Sequence, residues 1–180
     1  LLIGKANRYL LPFAYKVFVS YKELEGISKK YENKIYETGN IIRKEIFNIK
    51  NKSTDSHNNK VLKILILGGS QAAKVFAEEL PKIFYECKKE NTYFKIYQQC
   101  LPEQNSNLES FYKKENIDHE IFNFGKNILE YFSQTDFAIT RSGASMLAEL
   151  INSRIPFISV PLPTSADDHQ LKNALYYKKK

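Results

Sequence analysis

The run VLKILILGG, residues 61–69, constrains the fold of this chain more than any other stretch. It is near-continuously apolar, has the length of one strand, and ends in a glycine pair. A strand with one wet face alternates apolar and polar residues. A run this unbroken is buried on both faces, as in a parallel sheet covered by helices. The segments after it alternate at a regular pitch. The pattern predicts a helix over 72–89 with Pro81 inside it, a strand over 93–99, a polar helix around 105–115 and a strand over 119–124. It then predicts a helix over 127–134, a strand over 136–140, a helix over 145–153, a strand over 156–163 and a helix from Asp167. Such alternation implies an α/β fold, a Rossmann-like parallel sheet with helices on both faces.

The front of the chain is organised differently. KVFVS (16–20) and KIYETG (34–39) read as short strands, and NIKNKSTDSHNNK (48–60) is almost wholly polar. A segment of that composition buries no core face, so residues 47–60 read as a linker between the end of one domain (1–46) and a second domain (61–180). The chain starts on Leu and ends inside a helical pattern, so both ends read as cut. Its net charge of +7 comes from lysines scattered through most segments, which suits a solvated surface. No aromatic–basic interleaving speaks for nucleic acid. Cys87 and Cys100 stand at neither metal-ligand nor disulfide-framework spacing, which fits a reducing, cytoplasmic compartment. No cofactor or metal is expected, and no apolar run has the length of a membrane span.

In parallel sheets ligands sit beyond the carboxyl ends of the strands. Three corners there carry chemistry. GGSQAA (68–73) combines a glycine pair, the Ser70 hydroxyl and a helix N-terminus, which together suit an anion; a plain βα turn capped by Ser70 is the equal alternative. At ITRSGASMLAEL (139–150), Gly143 relieves the corner, and Ser142 with the N–H groups of 143–145, Ala144 among them, forms a second anion cradle. Glu149, further along that helix, is a carboxylate able to accept from two adjacent ribose hydroxyls, or else a solvated helix residue. Arg141 is read as bracing the loop, by pairing with an acid such as Asp136. At TSADDHQLKNA (164–174), Asp167 or Asp168 is the expected helix cap, and the Gln170 and Asn173 amides suit sugar hydroxyls. His169 reads as structural or as a hydrogen-bond donor before it reads as a general base. Arg43, just before the linker, reaches a phosphate or is a solvated charge. Phe124 and Gly125 follow a strand, where a base can stack or the ring can join the core.

Taken together, GGSQAAKVF, ITRSGASMLAEL, PFISVPLPTSADDHQLKNA and TGNIIR resemble, in content and order, the MurG family of peptidoglycan glycosyltransferases. The resemblance implies a GT-B fold of two Rossmann-like domains with UDP-N-acetylglucosamine in the cleft between them. It implies transfer of N-acetylglucosamine to lipid I, giving lipid II, at the cytoplasmic face of the membrane. Carried over by position, Ser70 and Arg43 match donor-phosphate contacts. Ser142, Gly143 and Ala144 match the diphosphate cradle, and Glu149 the ribose carboxylate. His169, Gln170 and Asn173 match the sugar-side polar group, and Phe124 with Gly125 the uracil-side loop.

The chain departs from the family pattern at Ala72, where glycine is usual, and at Met146, where threonine is common. The family's Gly-Gly-Thr-Gly-Gly-His loop is not among these residues. The resemblance places the acceptor site and the catalytic base in that other half, so no residue here is expected to be catalytic. Two other functions fit the same residues: a remnant that at most binds a UDP-sugar, or another GT-B enzyme or UDP-sugar epimerase. GKANRYLLPFAYK (4–16) mixes Lys5, Arg8 and Lys16 with apolar residues that read as core in preference to a membrane-facing surface.

Overall fold

The structure, a computed structural model, describes residues 3–21, 26–49, 61–69, 73–124 and 127–178. The chain opens with a short helix, α1 (Lys5–Leu10), followed by β1 (Val17–Val19) and β2 (Ile35–Glu37). These two strands pair in parallel, Val17 opposite Ile35 and Val19 opposite Glu37. The segment that follows ends in a 3-10 turn, Lys44–Asn48. The polar segment 50–60 lies outside the described residues.

The rest of the chain alternates strand and helix. The order is β3 (Leu62–Leu67), α2 (Ala73–Lys89), β4 (Phe94–Gln99), α3 (Asn105–Lys114), β5 (Asp118–Phe122), α4 (Leu129–Phe132), β6 (Phe137–Thr140), α5 (Ala144–Asn152), β7 (Phe157–Ser159) and α6 (His169–Lys178). The five strands form one wholly parallel sheet in the order β5-β4-β3-β6-β7.

The apolar run is the central strand, and its residues divide between two cores as the period-2 geometry of a strand requires. Ile64 and Ile66 face Phe76 and Phe84 of α2 and Leu108 and Tyr112 of α3. Leu65 and Leu67 face Tyr131 and Phe132 of α4 and Leu150 of α5. The expected α/β sheet with helices on both faces is therefore the observed one. Ile46, from the 3-10 turn before the polar segment, is buried in this second core, with Ile42 and Ile49 packed beside it.

Three local expectations are corrected. The strand expected over 156–163 stops at Ser159: Val160 N–H still donates to Thr140 O (2.8 Å), but Pro161 and Pro163 have no N–H to continue the ladder. The helix expected over 127–134 shrinks to the single turn of α4. The apolar residues of 4–16 do not all enter the core: Leu11 is 3% exposed, but Tyr9, Leu10 and Phe13 are exposed, Phe13 at 80%.

Tyrosines join the front segment to the last helix. The Tyr21 ring lies 4.2 Å from that of Tyr176, tilted by 54°, and its hydroxyl meets that of Tyr177 at 3.1 Å, while Asn40 Nδ2 donates to both Tyr21 (3.0 Å) and Tyr177 (3.3 Å). Burial pushes the Tyr177 phenol well above its ordinary range.

Candidate donor site

The strand order leaves β3 in opposite directions: β4 lies on one side and β6 on the other. This is the topological switch point of the sheet, the crevice where parallel α/β folds receive ligands. The corner after β3 and the corner after β6 flank it, and Arg141 N–H reaches back to Leu67 O (3.3 Å). Of the first corner, Gly68 and Gly69 are described, and Gly69 sits at φ +71°, a left-handed conformation that glycine adopts freely. Its N–H donates to Gln99 Oε1 (3.2 Å). Ser70 and Gly125 lie outside the described residues, so their expected roles rest on the sequence alone.

The second corner is complete. Gly143 is the N-cap of α5 at φ −70°, ψ 132°, an extended conformation open to any residue. The expectation that glycine relieves a steep corner is therefore corrected: the backbone does not need it. A Cβ built there meets nothing within 4 Å among the described residues, which leave the space outside the corner open. The first N–H groups of α5 have no intrahelical acceptor and carry the positive end of the helix dipole.

Ser142 and Asn173 are the frame of this corner. Ser142 Oγ meets Ser159 Oγ at 2.9 Å, and Asn173 Nδ2 donates to Ser142 O (3.0 Å). Gln170 Oε1 accepts from both Ser142 N–H (3.2 Å) and Leu162 N–H (3.0 Å), tying the loops after β6 and β7 to α6. These tie-ups narrow the sugar-hydroxyl reading: Oε1 of Gln170 and Nδ2 of Asn173 are already engaged. Arg141 does brace the loop, as expected, but through carbonyls. It donates to Val160 O (3.3 Å) and Pro161 O (3.2 Å), with its guanidinium 4.7 Å over the Phe76 ring. Asp136 instead accepts from Lys63 N–H (3.0 Å). Burial holds the Arg141 guanidinium below the ordinary arginine value, and its buried Nε has no hydrogen-bond partner among the described residues.

Ser165, not Asp167 or Asp168, is the N-cap of the 3-10 turn that leads into α6; it makes no side-chain cap bond to that turn, and its Oγ accepts from Gln170 N–H (3.4 Å). Both aspartates sit in the left-handed region, at φ 51° and 54°, one of the few backbone states that Asp tolerates better than most residues. His169 Nδ1 lies 2.8 Å from Ala166 O, so it is Nδ1 that carries the hydrogen this carbonyl accepts. Phe124 is exposed, which removes the core alternative for its ring.

Glu149 is buried on α5 and meets Arg43 in a two-point ion pair, Arg43 Nε to Oε1 at 2.9 Å and Nη2 to Oε2 at 2.5 Å. The solvated-residue alternative therefore fails for Glu149, while the Arg43 side chain is paired but still 39% exposed. Arg43 is the N-cap of the 3-10 turn that Ile46 anchors in the core, which explains how it reaches a residue 106 positions later. A cavity of 680 Å³ opens between the front segment and the starts of α5 and α6; Lys16, Phe18, Ala144, His169, Lys172 and Asn173 are among its walls. It reaches Ala144 but not Glu149, over which Arg43 lies. Sequence reasoning missed Gln99, Ser159 and Ser165. Gln99 left a trace, as half of a polar pair inside an apolar strand; the other two left none.

A parallel α/β domain with an open helix N-terminus at its switch point, and with an acid and an arginine beside it, is of the doubly wound α/β class. Residues 63–180 match the Glycosyltransferase family 28 C-terminal domain, and the chain belongs to that family. It is 38% identical over 184 residues to the UDP-N-acetylglucosamine--N-acetylmuramyl-(pentapeptide) pyrophosphoryl-undecaprenol N-acetylglucosamine transferase of Pelagibacter ubique, covering 99% of this chain and 49% of that protein. The protein of the same name from Rickettsia canadensis is 37% identical over 96% of this chain and 49% of its own length. The crystal structure of Acinetobacter baumannii MurG superposes with a TM-score of 0.72 at 25% identity, over 99% of this chain and 48% of that one. The likeness to the MurG family drawn from the motifs is borne out. The chain spans about half the length of the curated relatives it matches.

Proposed function

We propose that this chain carries the donor site of a transferase that moves N-acetylglucosamine from UDP-N-acetylglucosamine to lipid I, forming lipid II. The observation that carries this reading is the uncrowded N-terminus of α5 at the switch point, where Gly143 leaves room for an anion. The names of the relatives supply the substrates. In this reading the α5 N–H groups hold the donor diphosphate and Glu149 accepts the ribose hydroxyls. The acceptor hydroxyl attacks the anomeric carbon with inversion, the bond to the diphosphate oxygen breaks, and UDP leaves. The contribution of these residues is electrostatic: fixed dipoles and Arg43 stabilise the charge that grows on the leaving diphosphate. The acceptor and the base that takes its proton are assigned to the part of the relatives that this chain does not span.

Calorimetric titration with UDP-N-acetylglucosamine tests the reading. The chain is expected to bind saturably, and Glu149→Ala is expected to weaken binding about tenfold or more, the scale of losing hydrogen bonds to a charged group. Unchanged binding in the variant removes Glu149 from the site. Failure of a folded chain to bind supports the remnant reading instead. We also propose that the protein works at a membrane surface, since Tyr9, Leu10, Phe13 and Tyr15 are exposed beside Lys5, Arg8 and Lys16. Among the described residues no helix is long and apolar enough to cross a membrane.

A further inference from the structure

The Arg43–Glu149 pair joins two groups that the proposed function assigns to different parts of the donor, the diphosphate and the ribose. One guanidinium engages both carboxylate oxygens. The Glu149 side chain is 9% exposed and that of Arg43 39%, so the arginine lies outermost and covers the acid. A ribose that takes up both carboxylate oxygens displaces the guanidinium from them. Moving it with nothing in exchange costs the guanidinium its charged two-point partner and leaves it only solvent. A phosphate supplies the exchange, because its oxygens accept the same two-point donation that a carboxylate does.

The distances suit such an exchange. Glu149 is five residues beyond Ala144, about 7.5 Å along α5 at the usual helical rise. An anion at the start of α5 is thus within one side-chain swing of a guanidinium resting on Glu149. The Arg43 backbone need not move, because Ile46 and Ile42 hold its turn against the core.

We infer that Arg43 is a specificity-determining residue that keeps the ribose site closed to ligands without phosphate: it passes from Glu149 to the donor phosphate as Glu149 passes from Arg43 to the ribose hydroxyls. The inference rests on the donor-site reading. It makes ribose and phosphate recognition mutually dependent. A nucleoside alone has to break the ion pair uncompensated, and a nucleotide exchanges it.

The test uses the whole chain, with uridine, UDP and inorganic pyrophosphate as probes in calorimetric titrations. Saturating pyrophosphate is expected to tighten uridine binding to the unmodified chain by about tenfold, within the range of ordinary site–site coupling. Arg43→Gln is expected to bind uridine about tenfold more tightly than the unmodified chain, to bind UDP more weakly, and to lose the pyrophosphate effect. Uridine affinity indifferent to pyrophosphate overturns the exchange, and that measurement needs no variant to fold. So does a folded Arg43→Gln chain whose uridine affinity does not rise. Undiminished UDP binding by Glu149→Ala, or no UDP binding by the folded unmodified chain, is a different failure: it removes the donor-site reading, and this inference with it.

Discussion

Two glycines at the ligand-bearing edge have opposite reasons to be there. Gly69 is held at φ +71°, whereas Gly143 is extended with open space beyond it. Gly69→Ala should therefore lower stability by about 1 kcal/mol through left-handed strain. Gly143→Ala should change stability by less than about 0.5 kcal/mol but weaken UDP binding, because its methyl enters the anion space. Urea melts and UDP titrations separate the two, and a Gly143→Ala chain with full UDP affinity would argue against an anion at that corner. Cys100 makes a second residue-scale case. Burial pushes its thiol up to about 11 from an ordinary value near 9. The folded state then keeps a proton that the unfolded state releases, so this group's stabilisation is complete below about pH 9 and is lost as pH rises through about 11. Urea midpoints measured up this range should fall, and the fall should be shallower in Cys100→Ala when each chain is referred to its own neutral-pH value.

At the scale of elements, the link from Ile46 to Arg43 to Glu149 shows what a sequence displays and what it hides. Strand β3 is legible because burial on both faces leaves an unbroken apolar run, and the corner at 141–143 because strand and helix periods meet there. The ion pair is not legible, since its partners lie on elements that only the folded chain brings together. The Asn173 and Gln170 side chains have the right types for sugar hydroxyls, but residue type does not reveal that backbone groups already occupy them. The apolar pattern overextends β7 because Val160 and Leu162 continue it while Pro161 and Pro163 silence the ladder. The fully buried anchor of the 3-10 turn at Lys44–Asn48 is Ile46, which is 1% exposed, with Ile42 and Ile49 partly buried beside it. Ile46→Ala is expected to cost about 2–5 kcal/mol in a chemical melt, the range for truncating a fully buried side chain. A loss under 1 kcal/mol would mean that the turn is not held by the core.

At the scale of the whole molecule, the front segment is the unbalanced part. Strands β1 and β2 make a two-stranded parallel sheet, an arrangement that ordinarily occurs inside larger, covered sheets. Exposed rings and basic residues gather on α1 and the residues after it. The membrane reading is checked here by co-sedimentation. The chain should bind vesicles containing anionic lipid, lose that binding as salt is raised over a few tenths molar, and bind neutral vesicles weakly. Equal binding to both would leave the basic residues without that role.

The tyrosines that join the front segment to α6 have an optical consequence. The sequence contains no tryptophan, so its intrinsic emission comes from tyrosine alone. Tyr177 touches Tyr21 and Asn40 across that joint. Tyr177→Trp would place a lone long-wavelength emitter there, with the other tyrosines as energy donors. Its colour would report whether the front segment stays seated on α6 when a ligand is added.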